Sequence, residues 1–174
     1  MRVYLVGYMY SGKSTVGRQL ARALGLRFLD TDTLFEERYH TTIPLFFHRY
    51  DEGAFRRLEQ QVLYTTAGMD DIVVATGGGT PCYADNMEWI NSHGVSVHLD
   101  VSIPCLLQRA AQSRHARPLL AEMTSEEREA HIRRQLAERL ATYTLAHHRL
   151  AADNPDIHAL AELLTAGRQN VTKT

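Results

Sequence analysis

Near its start the chain reads Gly7-Tyr8-Met9-Tyr10-Ser11-Gly12-Lys13-Ser14, which spells G-x-x-x-x-G-K-S. No other feature restricts the fold as strongly, because this pattern has meaning only between a strand and a helix. Its flanks meet that condition. Val3-Tyr4-Leu5-Val6 is short, apolar and β-prone, and after Lys13 the residues Val16, Leu20, Ala23 and Leu24 recur at helical spacing. A glycine-bounded loop can turn its backbone N–H groups inward around phosphate oxygens. The helix that follows presents the positive end of its dipole to the same anion. The pattern places Lys13 on the β- and γ-phosphates and the Ser14 hydroxyl on magnesium.

Strand candidates recur along the rest of the chain at 2–6, 27–29, 72–75, 95–99 and 149–152. Helical patterns lie between them at 13–24, 33–39, 44–50, 54–67, 83–92, 104–113, 125–148 and 157–165. Such alternation predicts an α/β fold with a parallel sheet covered by helices on both faces. Gly25 is placed to cap the first helix, and Asp51-Glu52-Gly53 reads as a turn. Residues 168–174 read as a frayed end.

With 174 residues the chain has the length of one domain, taken as 1–174. A 44% apolar and 22% charged composition with net charge -1 gives no global basic field for nucleic acid. Two cysteines, Cys82 and Cys105, are too few for a disulfide framework. No apolar run reaches the ~20 residues that span a bilayer. The first strand leaves no room for a signal peptide, so the expected location is cytoplasmic. No sustained heptad demands an oligomer, and a monomer is expected.

Two stretches look like additions to the sheet scaffold. Residues 33–68 hold helices with no strand among them, and 112–125 is a polar stretch with Arg114, Arg117 and Pro118. Ligands of open parallel sheets bind at the carboxyl ends of the strands, where both additions emerge. Asp30-Thr31-Asp32 follows the second strand and aims two carboxylates at that edge. Phosphoryl transfer needs one carboxylate near magnesium and often another near the attacking hydroxyl. Thr76-Gly77-Gly78-Gly79-Thr80 follows the third strand. Consecutive glycines cost backbone entropy, and close approach of a ligand to the backbone explains their presence. Arg56 and Glu59 stand at i, i+3, a spacing that holds a guanidinium ready for a carboxylate.

Taken in order, GxxxxGKST at 7–15, DTD at 30–32, FRRLE at 55–59, ATGGG at 75–79, RPLL at 117–120 and Arg139-x-x-x-Tyr143 resemble the shikimate kinases. The resemblance runs from residue 3 to about 160. It implies a three-layer P-loop fold with a five-stranded parallel sheet in the order 2-3-1-4-5. It also implies transfer of the ATP γ-phosphoryl to the 3-hydroxyl of shikimate with Mg2+ present. By the same resemblance 33–68 is the substrate-binding insertion and 112–125 the lid.

Carried over position by position, the resemblance implies nucleotide binding by Gly12, Lys13, Ser14 and Thr15. Arg109 and Pro155 are implied to flank adenine, and Arg117 to swing from the lid onto the transferring phosphate. Ser14 and Asp30 are implied to hold the metal. Asp32 looks like the group that hydrogen-bonds the acceptor hydroxyls and is a candidate general base, with Lys13 and Arg117 as its catalytic companions. Arg56 and Arg139 look like the pair that grips the acceptor carboxylate, and Gly77, Gly78 and Gly79 line the acceptor with backbone. Tyr10 departs from the pattern, since the family usually has a small residue there.

Two other readings compete. Gluconate kinase shares the fold and an anionic, hydroxyl-rich acceptor, but the triple glycine, Arg56 and the DTD pair favour shikimate. A non-catalytic nucleotide-dependent regulator would be expected to lack the acceptor and lid residues, which are present here.

Overall fold

In the computed structural model, which describes residues 1–113 and 123–171, strand β1 (Arg2–Val6) is the axis of the molecule. Val3, Tyr4, Leu5 and Val6 are wholly buried, as a central parallel strand covered on both faces requires. Beside it lie β3 (Ile72–Ala75) and β4 (Val95–Asp100), with β2 (Arg27–Asp30) and β5 (His148–Ala151) at the edges. All pairings are parallel and the order is β2-β3-β1-β4-β5, as expected.

The helices owe their ends to local chemistry. Helix α1 (Lys13–Leu24) stops at Gly25, whose φ of 67° is the left-handed conformation that closes a helix C-terminus. Helix α2 (Thr31–Tyr39) is capped by Asp30, α3 (Ile43–Arg49) by Thr42, and α4 (Glu52–Thr65) by Asp51. Each cap side chain accepts a backbone N–H from the first turn. Asp51 therefore ends the loop, and Glu52 and Gly53, expected in a turn, are already helical. Helix α5 spans Asn86–His93 and α6 Ile103–Gln112. Helix α7 (Ser125–Tyr143) begins at a capping box made by Thr124 and Glu127, and α8 spans Ile157–Val171.

Alternating residues of the sheet feed two cores. Val3, Leu5, Val73, Val97 and Leu99 pack with Val16, Leu20, Ile132 and Leu160 on one face. Tyr4, Val6, Ile72 and Val74 pack with Leu63, Met87 and Ile90 on the other. A third cluster, Phe35, Phe46, Phe55 and Val62, belongs to α2, α3 and α4 alone. Its rings meet tilted or edge-on, with Phe35 and Phe46 centroids 5.3 Å apart.

Some boundaries move. The helix expected over 125–148 ends at Tyr143, because His148 must open β5 and pair with Val97. The strand itself, expected at 149–152, lies one residue earlier at His148–Ala151. The helix expected from Tyr83 starts only at Asn86, since Ala84 adopts a φ of 47° that no helix admits. Of the end expected to fray over 168–174, backbone through Val171 continues helix α8, and 172–174 lie outside the described residues. Of the expected lid, Gln112 closes α6 and Ser125 opens α7, while Arg117 lies outside the described residues.

Candidate active site

The loop between β1 and α1 is built on left-handed backbone. Gly7 and Gly12 have φ of 143° and 89°, and a Cβ on Gly7 would sit 2.8 Å from the Leu99 carbonyl oxygen. Tyr10 takes φ 63° despite its side chain, which packs against the core. Lys13 is buried. Its Nζ donates to the carbonyl oxygens of Gly7 and Tyr8, both at 2.8 Å, and to Ser11 Oγ at 3.3 Å. The ammonium thus lies folded along the loop that the sequence assigns to phosphate.

Arg109 ties this loop to the far edge of the sheet. Its Nη1 donates to Ser11 O at 2.9 Å and Tyr10 O at 3.4 Å. Its Nη2 donates to Ala152 O at 2.7 Å and Asp153 O at 3.2 Å. Pro155 follows in the same β5–α8 connection, so the two residues expected around adenine stand on one side of the loop.

The end of β2 supplies the hard oxygens. Ser14 Oγ donates to Asp30 Oδ2 at 2.6 Å, and the Asp32 N–H donates to Asp30 Oδ1 at 3.0 Å. One carboxylate therefore caps α2 and engages the P-loop serine. Among the described residues no group of three or more His, Cys, Asp or Glu converges as a metal cage. A hydroxyl with one carboxylate fits Mg2+, which keeps waters and takes its other ligands from substrate phosphates.

The glycine turn after β3 packs against the acidic and basic residues of α2 and α4. A Cβ on Gly77 would lie 2.5 Å from Glu59 Oε1 and 3.2 Å from Asp32 Oδ1, and one on Gly79 would overlap the Arg56 guanidinium. The Gly77 N–H donates to Thr31 Oγ1 at 3.0 Å. Arg56 Nη1 donates to buried Glu59 at 2.7 Å, and Arg56 Nη2 donates to exposed Glu52 at 3.1 Å. Burial works against the Arg56 charge, but Glu59 and Glu52 outweigh it and hold the guanidinium above its ordinary range.

Arg139 approaches from α7, its Cζ 5.8 Å above the Tyr8 ring. Four residues on, Tyr143 is wholly buried and donates to Gly78 O at 2.6 Å. Burial pushes the Tyr143 phenol well above its ordinary value, so it stays a hydrogen-bond donor. Cys82, in the short turn after Gly79, feels the charge of both arginines. Burial pushes its thiol up, and the charges of Arg139 and Arg56 draw it part of the way back.

Sequence residues from five separate segments therefore meet at one sheet edge: the P-loop, the DTD pair, Arg56, the glycine turn and Arg139. Sequence reasoning gave no role to Thr80, Cys82, Tyr143 or His98, and named Glu59 only as a partner for Arg56. The signals among these were the Glu59 spacing and the place of Tyr143 in the Arg139-x-x-x-Tyr143 motif. Thr80 Oγ1 donates to Glu59 Oε1 at 2.6 Å, a contact that only the packing of α4 on the glycine turn creates.

The shikimate kinase family model matches residues 9–166. A shikimate kinase of Parabacteroides distasonis is 40% identical over 167 residues, covering 94% of this chain and 96% of that protein. One from Phocaeicola vulgatus is 43% identical over 152 residues, covering 87% of each. Among solved structures, the shikimate kinase of Bacteroides thetaiotaomicron superposes with a TM-score of 0.86 at 34% identity, covering 100% of this chain and 99% of that one. The Acinetobacter baumannii shikimate kinase in complex with shikimate gives 0.84 at 34% identity, covering 99% and 95%. A Mycoplasma mycoides deoxyadenosine kinase, at 13% identity and 0.55, shares the fold alone.

Proposed function

The chain belongs to the shikimate kinase family and is an ATP-dependent small-molecule kinase; we propose that the site above moves the γ-phosphoryl of ATP onto the 3-hydroxyl of shikimate. The products are 3-phosphoshikimate and ADP. The observation that carries the assignment of roles is the seating of the glycine turn against Asp32, Glu59 and Arg56. It faces the phosphate loop across the edge where β1 and β3 end.

In this reading Lys13 leaves the Gly7 and Tyr8 carbonyl oxygens for the β- and γ-phosphates and offsets the charge that develops during transfer. Gly12, Ser14 and Thr15 line the phosphates. Ser14 and Asp30 hold Mg2+, which neutralises phosphate charge when bound. Arg109 and Pro155 flank the adenine. Arg56, oriented by Glu59 and Glu52, pairs with Arg139 on the acceptor carboxylate. Gly77, Gly78 and Gly79 bring backbone to the acceptor ring. Asp32 accepts the hydroxyl proton as the oxygen attacks phosphorus, and positioning supplies most of the rate. Residues 33–68 form the acceptor end of the domain. Arg117, which lies outside the described residues, keeps the phosphate-side role that the resemblance assigns to it.

The reading carries with it a monomeric cytoplasmic enzyme that uses neither nucleic acid nor membrane. Among the described residues no helix is long and apolar enough to cross a bilayer. A coupled ADP-release assay with ATP and magnesium tests the acceptor. Shikimate should stimulate release while gluconate and a no-acceptor control stay silent. Stimulation by gluconate alone would overturn the acceptor assignment.

A further inference from the structure

His98 sits near the carboxyl end of β4, in register with Val6 of β1 and Arg149 of β5. It is 3% exposed, and its Nδ1 has no hydrogen-bond partner among the described residues. The ring lies beneath two parts of the site. Its Cδ2 is 3.6 Å from where a Cβ of Gly7 would be, at the entry to the phosphate loop. Its centroid is 5.3 Å from that of Tyr143 at an interplanar angle of 31°. Tyr143 in turn holds the Gly78 carbonyl and interacts with Arg139 one helical turn away.

An unpartnered Nδ1 is tolerable as a lone pair, which places the neutral ring's hydrogen on Nε2. Protonation turns the same atom into a buried cationic donor with no acceptor, a far costlier state. The facing groups do not compensate. Lys13 of α1 and Arg149 of β5 repel the added charge. Asp100 of β4 favours it, but Asp100 is already paired with Arg149. The phenol facing it from α7, Tyr143, spends its proton on Gly78.

We propose that neutral His98 is a positioning residue for acceptor binding: it backs the Tyr143 ring and so holds Gly78 and Arg139 in place, and uptake of a proton by its imidazole releases them. The inference rests on the reading that Gly78 and Arg139 face the acceptor. Burial, with Lys13 and Arg149 assisting, draws the imidazole below its ordinary range, which puts the release on the acid side of neutrality.

The test is the pH dependence of both Michaelis constants between about pH 5.5 and 8 for the wild type and His98→Phe. Phenylalanine preserves an aromatic ring and cannot titrate. The wild-type KM for shikimate should rise toward acid by up to about tenfold per pH unit, with the KM for ATP moving less. In His98→Phe the rise should flatten to under about twofold over the same interval. Superimposable acid limbs would overturn the inference. Should His98→Phe not fold, NMR of the wild-type His98 ring nitrogens decides. Proton uptake coincident with the KM rise supports the inference, and a ring that stays neutral throughout that rise overturns it. Absence of shikimate turnover at every pH would overturn the acceptor reading and this inference with it, whereas a failure confined to the His98→Phe comparison leaves that reading standing.

Discussion

Arg56 and Glu59, three residues apart on α4, form an ion pair of 2.7 Å in which the carboxylate is buried and the guanidinium only partly so. The second carboxylate oxygen accepts from Thr80, so Glu59 joins Arg56 to the turn that follows β3. Glutamine at this position keeps the shape but presents an N–H either to Arg56 or to Thr80. Glu59→Gln should raise the KM for shikimate by about tenfold, leave the KM for ATP within about twofold, and cost about 1–3 kcal/mol of stability. Steady-state kinetics with each substrate varied, together with a denaturant midpoint, checks this.

Gly79 separates steric from conformational effects. Its φ of -89° suits any residue, so alanine strains no backbone. The added methyl collides with the Arg56 guanidinium. Gly79→Ala should therefore raise the KM for shikimate about tenfold or more through misplacement of Arg56. ATP affinity, read by calorimetry, should stay unchanged.

Asp30 performs two tasks that a single atom change can divide. Asparagine still caps a helix, whereas its amide is a poor magnesium ligand. Asp30→Asn should shift the magnesium concentration for half-maximal activity upward by about tenfold while leaving thermal stability nearly constant. Asp30→Ala loses the cap as well and should cost about 1 kcal/mol more. Magnesium titrations of activity and a pair of melting curves distinguish the variants.

His98 also makes a pH signature in stability. Burial lowers its folded-state value, so between that value and the ordinary imidazole value of about 6.5 the unfolded chain binds the extra proton. Its contribution to stability is fully present above about pH 6.5 and is lost as pH falls toward the depressed value. Denaturant midpoints taken from pH 7.5 to 5.5, each about half a unit apart, should fall more steeply in the wild type than in His98→Phe.

The alternation of strands and helices was open to sequence reasoning because it rests on local chemistry, whereas the strand order and the roles of Arg56 and Arg139 came only with the family resemblance. Lys13–Leu24 was delimited by its glycine ends and Ile72–Ala75 by an unbroken apolar run. What escaped depended on contacts far apart in the chain. Tyr143 was recognisable within a motif, yet its bond to Gly78 spans 65 residues. Cys82 read only as one of two cysteines too few for a disulfide framework, since nothing in its neighbours ties it to Arg56 and Arg139. His98 sat within an ordinary strand pattern, and alternation alone does not reveal that its ring lies under the phosphate loop. The overshoot of α7 has the same origin, because β5 exists only through its pairing with β4.

The cluster of Phe35, Phe46, Phe55 and Val62 shares no residue with either core of the sheet. The α2–α4 segment, proposed above as the acceptor end, is therefore a module with its own adhesive. Helix α4 alone also reaches the sheet core, through Leu63, so α2 and α3 are the helices whose surfaces can be recut with least disturbance of the strands. A kinase built this way can vary the helices proposed to face its acceptor while the strands beneath the phosphate loop stay packed as they are.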